Sequence, residues 1–264
     1  MTTWLLAYLK TALSLSIFEL LWAFGFSIAI AGAMSLISRF LYRHLYTEYG
    51  RKAVLALIYT TSIGTIMHEL SHALFCVIFE HKVTKISLFN PEPDGTLGYV
   101  EHAYNNRNDC QVAGNFFIGI APILMAGVMS YLLMVWLMPD IIPPAPDTHN
   151  IHGIVMYIED IYRNILITNN LANWHFWLFG FLMFAIAGHS TLSPADMKGA
   201  LSGIIALIIL VFLINTVSIW IPGAIDAEFH FLVQYYAVFY GSMLFGLSLY
   251  VGLMGLLLLI KILI

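Results

Sequence analysis

The 264 residues are 60% hydrophobic and only 10% charged, where a soluble domain carries about 25% charged residues. That balance excludes a soluble enzyme with a deep core and marks an integral membrane protein. A net charge of −4 argues against a nucleic-acid partner, and Cys76 and Cys110, in no C-x-x-C pair, suggest neither a disulfide framework nor a thiolate zinc site.

A spanning helix needs about 20 predominantly apolar residues. On that rule the sequence predicts an all-α polytopic membrane protein of six spans in one membrane-embedded domain, residues 1–264. The hydrophobic N-terminus reads as a retained span rather than a signal peptide. The first span covers residues 13–41. Its one acid, Glu19, is expected near the interface or packed between helices. A basic, aromatic loop with Arg39, Arg43, Arg51 and Lys52 is expected next.

The second span, 53–79, carries His68-Glu69-Leu70-Ser71-His72, an H-E-x-x-H signature. Positions i and i+4 share one helix face, so His68 and His72 can offer imidazole nitrogens to one metal ion. Glu69 lies near that side and can take a proton from water. Three ionisable side chains on an apolar helix need one another or a metal. Gly64, Ser62 and Thr65 before the motif permit close helix approach.

Residues 82–104 break the helical pattern. Val83, Ile86, Leu88 and Phe89, a Pro91-Glu92-Pro93-Asp94-Gly95 turn and the strand formers of 96–104 predict a small β-hairpin. Its edge could pair with an extended substrate backbone. His81 and His102 are expected to be solvated or interfacial. The third span, 112–138, contains Asn115, Gly119, Pro122 and Gly127. Asn115 either caps the helix or faces water, or hydrogen-bonds substrate near the metal.

Residues 139–173 form the polar connection, irregular at Pro139, Pro143, Pro144 and Pro146. Ile154, Ile158, Ile161 and Ile165 then recur at helical spacing, which predicts an amphipathic helix lying on the surface. The fourth span, 174–187, leads to Gly188-His189-Ser190 and on to Ser193-Pro194-Ala195-Asp196; spans five and six cover 200–221 and 231–260.

Catalytic zinc sites hold three protein ligands and leave a position for water. Counting crossings puts the end of the fourth span on the same side as the motif. Asp196 is therefore the expected carboxylate ligand, with Pro194 breaking the helix before it. His189 is the alternative ligand, or a group orienting ligand or substrate. The competing role for Asp196 is a helix N-terminal cap. Thr65, Ser71, Asn115, Ser190 and Ser193 could line a water-bearing cavity.

Taken together, the motif in a membrane helix, the hairpin after it, the Gly114-Asn115…Gly119…Pro122 helix and the later carboxylate resemble the site-2 proteases, intramembrane zinc metalloproteases. The likeness covers about residues 53–205, which the resemblance makes a catalytic three-helix core. It implies one Zn²⁺ held by His68, His72 and Asp196, Glu69 as base, a membrane-protein or peptide substrate in the lipid bilayer, and an active site toward the cytoplasm. The family's Asp usually stands in Leu-Asp-Gly. Here the run is Ala195-Asp196-Met197-Lys198-Gly199, as in a divergent branch. The alternative function is a non-proteolytic metal-binding membrane scaffold or transporter component.

Overall fold

A computed structural model describes residues 2–144, 151–221 and 223–263. Pro146 and Pro222 lie outside them. The chain is mostly helical, with one two-stranded sheet. Helix α1 (Thr2–Leu20) passes through a π turn at Leu21–Gly25 into α2 (Phe26–Thr60). The basic loop expected around Arg43 and Arg51 is instead part of α2, interrupted only at Gly50, whose φ of 76° breaks the helical path. Asn215 on a later helix donates to the Glu19 carboxylate at 2.7 Å, so that acid packs between helices.

The second expected span is also not one straight helix. It bends by 56° between α2 and α3 (Ser62–Ile78), where Thr61 leaves the helical region. The motif thus begins two turns into a new helix. After α3, Glu80 at φ 56° turns the chain into β1 (Lys82–Ser87), which pairs antiparallel with β2 (Tyr99–Ala103). This is the expected hairpin, with Val83 opposite His102 and Ile86 opposite Val100.

Helix α4 (Asp109–Leu137) starts where the Asn108 side chain accepts from the Cys110 and Gln111 amides. Helix α5 (Ile151–Ile165) buries Ile154, Ile158, Ile161 and Ile165. Its apolar stripe packs against the last helix, α8 (Ala224–Leu263), where the sequence suggested a helix lying on the surface. Helix α6 (Trp174–His189) turns by 72° into α7 (Pro194–Ser218).

Among the described residues two helices are long and apolar enough to cross a membrane, or up to four spans if each bent pair counts as one. The expected count of six is not reached even when the bent pairs are joined. The bends leave α3, at 17 residues, and α6, at 16, short of the usual spanning length by themselves.

In lipid, helices associate through close van der Waals packing, so small residues mark their contacts. Helices α4 and α7 meet at Gly119, where a Cβ would lie 2.5 Å from the Asp196 carbonyl oxygen and 2.6 Å from the Ala200 nitrogen. Backbone atoms cannot rotate aside, so any side chain there forces α7 away. Gly119→Ala is expected to destabilise the protein by about 1–3 kcal/mol. Gly252→Ala, where a Cβ meets nothing within 4 Å, is expected to be neutral. Thermal unfolding in detergent tests both, and equal midpoints for the two variants would contradict the packing account.

Candidate metal centre

His68 and His72 lie one turn apart on α3, with their Nε2 atoms 3.2 Å from each other. Their Nδ1 atoms point away, His68 to the carbonyl of His189 at 2.7 Å and His72 to the carbonyl of Ile118 at 2.8 Å. A carbonyl only accepts, so each Nδ1 carries the hydrogen. In the neutral rings both Nε2 atoms are then bare lone pairs. Two lone pairs facing at 3.2 Å repel unless a cation, either a metal ion or an extra proton, lies between them.

Asp196 completes the group. Its Oδ1 lies 3.3 Å from His72 Nε2 and its Oδ2 3.8 Å from His68 Nε2. One ligand atom from each of the three residues lies within 4.8 Å of the others, so this His-His-Asp set could hold a metal ion. Its donors, two imidazoles and a carboxylate, are those of catalytic zinc sites.

The two roles weighed for Asp196 turn out to be compatible. Ser193 caps α7, accepting from the Asp196 amide at 3.2 Å. Asp196 at the third helical position answers by accepting from the Ser193 amide at 2.8 Å through Oδ2. This capping box fixes the carboxylate and leaves Oδ1 toward the histidines. Pro194 opens the helix rather than breaking it, at a position where its missing N–H costs nothing.

His189 is not part of the three-residue group. Its Nδ1 bonds the Ala185 carbonyl at 2.9 Å, and it serves the site through its backbone oxygen on His68. Glu69 is 7% exposed and takes no part in these hydrogen bonds. It lines a cavity of about 240 Å³ together with the three potential ligands, Asn115 and Ser193. Asn115 is buried, and its Nδ2 finds no partner among the described residues. Of the other polar residues expected at such a cavity, Ser71 is turned back onto the His68 carbonyl, and Ser190 borders a separate small void beside His189.

Protein families, curated proteins and solved structures offer no match to this chain. What the site can do follows from its own geometry.

Several groups that shape the site carry no motif. The carbonyls of Ile118 and His189 have no signature in sequence. Gly98 lies beside Glu69, where a Cβ would sit 2.8 Å from Glu69 Cγ. His81 and His102, expected to be solvated or interfacial, face each other at 3.0 Å through their Nδ1 atoms, and His81 is only 5% exposed. Burial and the neighbouring His81 hold the His102 pKa below the ordinary imidazole value. His102 also lines the cavity. A helical period could not have revealed it, since it stands on β2.

Removing one potential ligand should expose the group's purpose. Asp196→Asn is expected to lower bound metal by at least about tenfold, and His68→Ala to abolish it, consistent with loss of one of three ligands. Metal content of purified protein measured by mass spectrometry checks this. Undiminished metal in Asp196→Asn would remove that residue from the ligand set.

Proposed function

We propose that this chain is an intramembrane zinc metalloprotease that hydrolyses peptide bonds in or near transmembrane segments of membrane-bound substrates. The observation that carries the reading is the pair of facing Nε2 lone pairs, completed by Asp196, with the Glu69 carboxylate in the same cavity. The resemblance to site-2 proteases supports it through the same residues in the same order. Six spans in total and an active site toward the cytoplasm belong to this proposal.

His68, His72 and Asp196 would hold the zinc. When bound, the ion polarises a carbonyl and lowers the pKa of water toward about 7. Glu69 takes the proton from the attacking water and hands it to the leaving amine as the C–N bond breaks. The site-forming carbonyls of Ile118 and His189 keep both imidazoles in the tautomer that presents Nε2. Peptide hydrolysis at this depth requires water, and a cavity of about 240 Å³ edged by Asn115 and Ser193 has room for it. A polar cavity built into an apolar helix bundle is costly, which favours a working site over a structural one.

A scaffold would have no need of Glu69. Glu69→Gln preserves shape and removes the proton acceptor. It is expected to keep its zinc and to cleave β-casein in detergent about 10²–10⁴-fold more slowly than the wild type, the usual worth of general acid–base help. Wild-type cleavage by Glu69→Gln would contradict the mechanism.

A further inference from the structure

The second histidine pair sits where α3, the hairpin and α4 converge, and its hydrogen bonds allow one arrangement of protons. His81 Nε2 lies 2.8 Å from the carbonyl of Gln111, so it carries the hydrogen and donates. In the neutral ring His81 Nδ1 is then a lone pair. His102 Nδ1, 3.0 Å away, must donate to it. The only remaining polar atom of His102, Nε2, is left as a bare acceptor. This is the reverse of the tautomer that free histidine prefers in water.

The surroundings hold that arrangement in place. Tyr104 stacks on His81 with ring centroids 5.0 Å apart and planes 14° from parallel. Gln111 is tied at both ends of its side chain, donating to the Glu80 carbonyl at 3.0 Å and accepting from the Asn105 amide at 2.7 Å. Neither histidine is one of the three potential metal ligands, and nothing in the hydrolysis step uses them. Yet His102 lines the cavity that holds Glu69 and His72.

Asn115 borders the same cavity with an unpartnered Nδ2 donor. Two residues that line one cavity, one with a free donor and one with a free acceptor, match the C=O and N–H of an extended peptide backbone. We propose that His102 is a substrate-positioning residue, whose Nε2 accepts a backbone N–H of the bound peptide while His81 fixes the tautomer that makes this possible. The substrate role rests on the peptidase reading; the tautomer does not.

Two measurements separate these. Nitrogen-15 NMR of histidine-labelled protein, with the His102 signals assigned by their loss in His102→Gln, is expected to show His102 protonated on Nδ1. Protonation on Nε2 would overturn the proposal. In β-casein hydrolysis by the zinc-loaded protein, His102→Asn keeps an amide near the Nδ1 position but loses the Nε2 acceptor. It is expected to raise KM about 2- to 10-fold, the worth of one neutral hydrogen bond, with kcat and zinc content little changed. His102→Gln, whose amide reaches the Nε2 position, is expected to recover part of that loss. Equal KM for wild type and His102→Asn would overturn the positioning role. A wild type that cleaves no casein would overturn the peptidase reading and the substrate role with it, while the NMR result would still decide the tautomer.

Discussion

Two imidazole lone pairs held face to face are the constraint on which this structure depends. The arrangement is unfavourable by itself, and the protein enforces it from both sides. The Ile118 carbonyl on α4 and the His189 carbonyl at the end of α6 each fix one ring through Nδ1. A capping box at the start of α7 brings a carboxylate to the same point. Four helices therefore converge on a place that makes physical sense only with positive charge in it.

The bends follow from that requirement. Each of the α2–α3 and α6–α7 pairs breaks within a run that is apolar enough to span as one piece. The first break starts a fresh helix ahead of His68. The second frees residues 190–193, so that α7 starts beside the histidines, where Ser193 and Asp196 satisfy its first amides and the Asp196 carboxylate reaches His72. Irregular backbone at membrane depth is tolerated where it lies within protein or beside a polar cavity. Gly119 then lets α7 come close enough for Asp196 to reach the histidines.

Much of this site can be read from side chains alone. The i, i+4 spacing of His68 and His72, the acid between them and the expectation that Asp196 or His189 joins them need only a helix period and a membrane. The hairpin was legible for the same reason, because Val83, Ile86 and the Pro91–Gly95 turn carry strand and turn chemistry. The bends were not legible. Thr61 and Gly50 are ordinary residues in apolar or basic runs, and hydropathy averages over them. The surface helix at 151–165 misled because an isoleucine stripe looks alike whether it meets lipid or α8. His81 and His102 were hidden because their partner is made by strand register, which pairs Val83 with His102 and brings the ring back to α3.

Zinc absorption spectroscopy on the purified, detergent-solubilised protein tests the central claim most directly. The account predicts one zinc per chain with a low-coordinate shell of oxygen and nitrogen at about 2.0 Å, including the outer-shell scattering of two imidazoles. Protein that purifies without metal and gains none on exposure to zinc would mean that a shared proton holds His68 and His72 together. That result would contradict the assignment of this site as a metal centre.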